Sequence, residues 1–248
     1  SSTVLPVVLS RIEALGVDVW SHVAADPERY VWDGMTYGSE VAFPEAIEAE
    51  RTTHTRPSWL EAAPDDIALP GESWWEVDFR RREHEQLLAR LRSGDVTSAD
   101  DAVTENLDLE TLAVDVIDSI KDSTTVYEVW TLLSDLRIVD PTCGSGAFLF
   151  AALKVLIPLY EALLDAARAL GGGSHARLGT LLDEIERHPT AEYFLLKHAS
   201  LSNLYGVDIM KEAVEVARLR LFLKLISAVE EKGKLEPLPD LEFNIKPG

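Results

Sequence analysis

Apolar positions along this chain follow two patterns, and the place where one gives way to the other organises the whole. Over residues 72–92, Trp75, Phe79, Leu87, Leu88 and Leu91 recur near helical spacing among charged residues, which predicts an amphipathic helix. Ser93-Gly94-Asp95 ends it. Asp108 is placed to cap a helix reaching Ile120, and Ser123 or Thr124 to cap another reaching Leu133. The pattern then changes. Residues 137–140 form a short run bounded by a turn and predict a buried strand, 141–146 a tight loop, and the strongly apolar 147–157 a helix packed on a sheet. Pro158 is expected to kink or end that helix. Helical spacing resumes over 160–170 and stops at Gly171-Gly172-Gly173.

Helices are predicted next over 175–187 and 191–201. Leu204-Tyr-Gly-Val-Asp208-Ile-Met is a second short strand ending in an acid. The helix expected over 211–229 turns Val214, Leu221, Leu225 and Ile226 toward the sheet and spreads Arg218, Arg220 and Lys224 outward. A charged connection over 230–239 leads to a third strand over 240–246. Strand–helix–strand–helix–strand with connections of this length implies an α/β fold with a parallel sheet and right-handed crossovers. Three regions follow: residues 1–70, of unclear fold; a helical lead-in over 71–134; and the α/β part over 135–248, with a helical insertion near 171–202. Within the first region, residues 5–15 suit a helix and the aromatics and glycines of 30–43 suit short strands or turns.

The chemistry gathers at the first bend, Asp140-Pro141-Thr142-Cys143-Gly144-Ser145-Gly146. Glycines allow backbone angles closed to other residues and let a ligand approach the main chain. The unpaired amides of the following helix start favour carboxylate or phosphate oxygens. Asp140 adds an acceptor for an ammonium or hydroxyl. A lone glycine pair reads equally well as a well-made turn. The second unit shifts that balance, because in doubly wound folds the acid closing the second strand holds ribose hydroxyls and the ligand lies outside the carboxyl ends of the strands. The spacing departs from a simple dinucleotide fold, since the acid arrives roughly sixty residues after the glycines instead of about twenty. An inserted helical segment accounts for the gap.

At these residues the chain resembles class I S-adenosylmethionine-dependent DNA adenine methyltransferases, in particular the large single-chain enzymes of restriction-modification and phage-defence systems. Asp140 to Leu149 looks like their first cofactor motif, and Gly206-Val-Asp208-Ile209 like their second. The resemblance implies a partial Rossmann-like sheet that binds S-adenosylmethionine. Asp140, Gly144 and Gly146 would line its methionyl end, with Pro141, Thr142, Cys143 and Ser145 completing the loop. Asp208 would hold the ribose hydroxyls, Ile209 would pack on the cofactor adenine, and Phe148 would wedge the helix against the sheet. A segment before the first strand closes over the methionine end in that family, which would bring Thr124 and Thr125 near it, although a plain capping role also explains them. The family holds a flipped-out adenine in an Asn/Asp-Pro-Pro-aromatic tetrad. Here the only asparagines, Asn106, Asn203 and Asn244, precede no proline, and neither Asp26-Pro27 nor Asp140-Pro141 continues into a second proline. No catalytic residue is therefore assigned, and the expectation is a fragment carrying the cofactor-binding half.

Charge complicates the picture. With 43 acids against 23 bases the formal net charge is −20, whereas gripping DNA requires clustered Lys and Arg. Double-stranded DNA would have to be held through regions outside this chain. Otherwise the substrate is not DNA, or the chain is a non-enzymatic interaction module with a degenerate nucleotide fold. Arg80, Arg81 and Arg82 read as a solvated basic face or a nucleic-acid patch, and Glu83 and Glu85 favour the first. One cysteine excludes an internal disulfide and any multi-cysteine metal site. A helix start favours a lowered Cys143 pKa, but no base partner is evident. His22 and His54 stand alone, so no metal site is expected. No apolar run reaches the roughly 18 residues needed to span a bilayer and no signal-peptide pattern opens the chain, which predicts no membrane segment and a cytoplasmic location.

Overall fold

The computed structural model describes residues 3–50, 57–171, 175–229 and 242–248. In chain order the elements are α1 (Val4–Ala14), α2 (Trp20–Ala25), α3 (Glu45–Glu50), α4 (Trp74–Ser93), α5 (Ala99–Thr104), α6 (Leu109–Ser119), α7 (Ser123–Ser134), β1 (Ile138–Asp140), α8 (Ala147–Leu170), α9 (Ala176–Glu186), α10 (Ala191–Ser202), β2 (Leu204–Asp208), α11 (Lys211–Ser227) and β3 (Ile245–Pro247). Short 3-10 turns cover Pro27–Tyr30, Asp33–Met35 and Pro57–Leu60. The chain divides into two compact units, one of Ser1–Val19 with Ala113–Gly248 and one of Trp20–Leu112.

The first unit contains a three-stranded parallel sheet in the order β1-β2-β3, with Ile138 opposite Leu204, Asp140 opposite Gly206, and Gly206 opposite Ile245. Parallel pairing follows from the helical crossovers, since parallel neighbours cannot be joined by a tight turn. Ile138, Leu204 and Ile245 are buried on one face, where α8 packs on β1 and β2; on the other face Val139 is 58% exposed and Val207 39%. Two helices, α9 and α10, stand between α8 and β2, which accounts for the long interval between the glycines and Asp208. Asn203, fully buried, ties the lower end of this sheet to its helices. Its side-chain amide donates to the carbonyls of Leu133 and Leu136 at 2.7 and 2.8 Å, and its side-chain oxygen accepts from the Tyr160 hydroxyl at 2.9 Å. Trp130, Tyr160, Phe194 and His198 form an aromatic cluster beside it, and His198 Nε2 lies 2.9 Å from Ser134 Oγ.

Several expectations are corrected. Pro158 neither ends nor interrupts α8, which runs 24 residues through it. Leu153, Leu156, Leu159, Tyr160, Leu163 and Leu164 are buried on both sides of the proline, and that packing outweighs the roughly 3 kcal/mol a mid-helix proline costs. The same helix is long and apolar enough, by length and composition, to cross a membrane, contrary to the sequence expectation. Of its most apolar 18-residue window, 56% is buried within the protein, against β1, β2, α7 and α10, as befits a core helix. The α7 cap is Asp122, one residue before those proposed, and its carboxylate accepts the Thr125 N–H at 2.8 Å and the Thr125 hydroxyl at 2.9 Å. Asp108 caps α6 as expected, accepting the Glu110 and Thr111 N–H groups. The third strand is Ile245–Pro247, shorter and later than expected; the connection over 230–239 and the first residues of that predicted strand lie outside the described residues, as do Gly172, Gly173 and His54.

The second unit is helical, and the 30–43 stretch forms turns instead of strands. Its core gathers Ile47, Trp59, Ile67, Ala68, Trp74 and Val77, with Phe43 edge-on to Trp74 at 5.8 Å. The face of α4 therefore starts at Trp74 and Val77, while Trp75 and Phe79 stack on each other at 5.3 Å and remain 43% and 51% exposed. Arg80 and Arg81 are not a solvated face but are engaged with the protein's own backbone, while Arg82, 43% exposed, pairs with Asp78. Arg80 is 7% exposed, pairs with Glu72 through Nε (2.9 Å) and Nη2 (2.8 Å), and donates to the carbonyls of Gly34, Met35, Tyr37 and Ile67. Arg81 lies over the Phe43 ring at 4.6 Å and donates to the carbonyls of Gly38 and Val41.

Candidate functional site

Asp140 and Asp208 end the two paired strands β1 and β2 and stand at the same edge of the sheet. The loop between β1 and α8 is folded against that edge by its own hydrogen bonds. Cys143 N–H donates to Val207 O at 3.0 Å, Gly146 N–H to Cys143 O at 2.8 Å, and Thr142 N–H to Asp140 Oδ1 at 3.1 Å. The Asp208 carboxylate accepts the Gly144 N–H at 2.8 Å through one oxygen and the Met210 N–H at 2.9 Å through the other. These two backbone donors, Met210 first, hold its pKa below the usual carboxylate value. The two acids and the glycine loop are thus brought together as the sequence anticipated.

Two glycines are needed for different reasons. Gly146 has φ +83°, and a Cβ there would stand 3.2 Å from the Ala217 Cβ of α11, so both backbone shape and helix contact demand glycine. Gly144 has φ +51°, and a Cβ would meet nothing within 4 Å; its main chain lies open. Between and beyond them, the N–H groups of Ser145, Ala147, Phe148 and Leu149 have no acceptor among the described residues. They are the orphan donors of a loop and a helix start, which carry partial positive charge and favour anionic oxygens. Asp140 Oδ2 likewise has no partner among the described residues, which leaves an acceptor beside those donors.

The remaining sequence candidates fall in different places. Pro141, Thr142 and Ser145 are exposed on the loop, and Ile209 is 89% exposed just beyond β2. Phe148 is 49% exposed and does not wedge α8 against the sheet; the buried Leu149 does. Cys143 is 5% exposed, and burial pushes its thiol pKa up, with Asp140 and Asp208 adding to the rise. Its helix-start position does not make it a thiolate. Thr124 and Thr125 open α7, and Thr125 serves the cap. Among the described residues no group of His, Cys, Asp and Glu could hold a metal.

Sequence reading gave Gly206 no role beyond opening the second motif and placed Arg220 on the outward face of its helix. A Cβ on Gly206 would come within 3.1 Å of Cys143 Sγ and Leu149 Cδ1, so this strand glycine lets the loop and α8 close on the sheet. A glycine inside a strand is the available signal. Arg220 of α11 donates through Nη1 to Ser145 O at 2.8 Å and Ser145 Oγ at 3.2 Å, and lies over the Phe150 ring at 4.6 Å. Seventy-five residues separate the pair, and no local pattern reveals it.

A glycine loop joining a parallel strand to a long helix, with an acid at the end of each of two neighbouring strands, defines an α/β unit whose open backbone and carboxylates suit a ligand carrying both anionic and donor groups. Residues 117–236 match the family described as "MmeI, DNA-methyltransferase domain". A putative type II restriction enzyme and methyltransferase, RM.MjaORFECS2P, of Methanocaldococcus jannaschii is 34% identical over 120 residues, 47% of this chain and 8% of the relative. The adenine-specific methyltransferase PglX of Streptomyces coelicolor is 31% identical over 107 residues, 41% of this chain and 7% of the relative. DNA methyltransferase A of Bacillus subtilis is 26% identical over 121 residues, 49% of this chain and 12% of the relative. This stretch of the chain is similar to DNA methyltransferases, one of them named also as a restriction enzyme, and it spans a small part of their length. No solved structure matches the chain.

Proposed function

We propose that residues 135–248 are the S-adenosylmethionine-binding, Rossmann-like half of a DNA adenine methyltransferase acting in restriction-modification or phage defence, with residues 71–134 as its helical lead-in. The observation that carries this reading is the placement of Asp140 and Asp208 at the carboxyl ends of two neighbouring parallel strands, with the Gly144 N–H of the glycine loop donated to Asp208. The residues present suit the cofactor. The unbonded N–H groups of Ser145, Ala147, Phe148 and Leu149 are matched to a carboxylate, the free oxygen of Asp140 to an ammonium, and the remaining lone pairs of Asp208 to ribose hydroxyls. The open main chain at Gly144 leaves room for close approach.

When bound, the cofactor supplies a methyl group already activated on a sulfonium, so the enzyme's task is to place a nucleophile in line with it. The residues of this chain contribute orientation. Donors at the loop fix one end, the ionised Asp208 fixes the sugar, and exposed Ile209 offers an apolar surface to the cofactor base. Adenine as target and double-stranded DNA as partner are proposed from the family motifs and from the relative named as adenine-specific. The Asn-Pro-Pro-aromatic tetrad that would hold the adenine amine is not in this sequence, and the basic surface for DNA is assigned to regions outside it.

Calorimetry with S-adenosylhomocysteine tests the reading. The 248-residue chain is expected to bind one equivalent, and Asp208→Ala to weaken binding at least tenfold while leaving the melting temperature within a few degrees. Absence of saturable binding to the unsubstituted chain would overturn the cofactor assignment. Incubated with duplex DNA and methyl-labelled cofactor, the same chain is expected to transfer no label.

A further inference from the structure

We propose that Arg220 is a positioning residue for the glycine loop, locking the Ser145–Gly146 peptide plane in the one orientation that keeps carbonyl oxygen away from the open amides. The plane turns about the ψ bond of Ser145 on one side and the φ bond of Gly146 (φ +83°) on the other. Glycine tolerates both signs of φ at little steric cost, so on its Gly146 side rotation of this peptide is opposed less than it would be at an ordinary residue. Two bonds oppose it instead. The Gly146 N–H donates to Cys143 O at 2.8 Å, and the Ser145 carbonyl accepts from Arg220 Nη1 at 2.8 Å. Arg220 also holds Ser145 Oγ at 3.2 Å and stacks on Phe150, one turn into α8. One guanidinium thus ties the loop, the first turn of α8 and α11 together. Packing of Gly146 on Ala217, one turn earlier in α11, supports the same contact.

The consequence is electrostatic. With the carbonyl held toward α11, the N–H groups of Ser145, Ala147, Phe148 and Leu149 are left as a set of donors. A flipped Ser145 carbonyl would add an acceptor among them and repel an anion. A lysine would supply charge but not the planar stack. The link to cofactor binding rests on the function proposed above; the locking of the peptide does not.

The test separates the two. In the 248-residue chain without ligand, Arg220→Ala is expected to speed hydrogen exchange of the Gly146 amide at least tenfold and to shift the Ser145–Phe150 amide resonances, while the amides of β2 stay as they were. Arg220→Lys is expected to restore part of the protection. With S-adenosylhomocysteine, Arg220→Ala should bind about tenfold more weakly at an unchanged melting temperature. Unchanged Gly146 exchange would overturn the proposal. So would a rise spread evenly over α11 and β3 with a fall in melting temperature, the mark of a merely structural role. Faster Gly146 exchange in a chain that binds no cofactor would uphold the lock and defeat the cofactor reading.

Discussion

Two irregular stretches of this protein, residues 34–41 of the second unit and 141–146 of the first, solve the same problem in opposite ways. Neither can satisfy its backbone polar groups through a helix or a sheet ladder. Over 34–41 the exposed groups are carbonyls, and arginines from α4 fill them. Arg80 takes the oxygens of Gly34, Met35 and Tyr37, Arg81 those of Gly38 and Val41. Glu72 balances Arg80; burial works to raise its pKa, but Arg80 and the Leu69 N–H bring it below the usual value. Five carbonyls of the stretch are taken by side chains of α4, which gives it a structural role. Over 141–146 only part of the set is consumed. Asp208 takes the Gly144 N–H, and the donors that follow have no acceptor among the described residues. The two stretches differ in what meets their open backbone groups: side chains of α4 at 34–41, and no acceptor among the described residues for the donors at the start of α8.

That contrast is exposed to direct test. The largest effect is expected from Arg80→Met, which removes the guanidinium from Glu72 and from four carbonyls: a loss of about 3–5 kcal/mol, as for a broken buried ion pair. Denaturant unfolding followed by tryptophan fluorescence would read it through Trp59 and Trp74 of that core, and a loss under about 1 kcal/mol would mean the arginine is dispensable. Gly144→Ala should do the reverse. A Cβ meets nothing, so the stability cost is limited to the ~1–2 kcal/mol of a left-handed non-glycine residue, yet S-adenosylhomocysteine should bind at least tenfold more weakly. Equal affinity for wild type and variant would show that no ligand approaches that backbone.

A smaller effect sharpens the comparison from a third direction. His198 is a partly buried polar group of the first unit, set among aromatic rings, and desolvation there lowers its pKa from the usual 6.5, with Glu184 opposing. Its neutral form is favoured by the fold. The stability this contributes is present above pH 6.5 and declines as pH falls below it toward the lowered folded value, because the unfolded chain then binds more protons. Stability measured between pH 7 and pH 5 should fall more in the wild type than in His198→Phe. Parallel curves would place His198 outside the folding balance. Carboxylates raised by burial, Asp118 and Glu161, work in the opposite sense, which is why the variant difference is the quantity to compare.

What the sequence by itself determined is local: the helix and strand periods, the cap at Asp108, the strand-ending acids and the glycine bend. Each rests on residues a few positions apart, whose spacing fixes the face or turn they can make. What only the tertiary structure decided is non-local. It brought Asp208 onto the Gly144 amide across 64 residues and Arg220 onto Ser145 across 75. It carried α8 through Pro158, turned the buried face of α4 toward Trp74 instead of Trp75, and buried an apparently solvated Arg80 against Glu72 and four carbonyls. These outcomes depend on which surfaces meet, because a side chain's burial and partners are set by the neighbours that the fold supplies, and linear spacing does not record them.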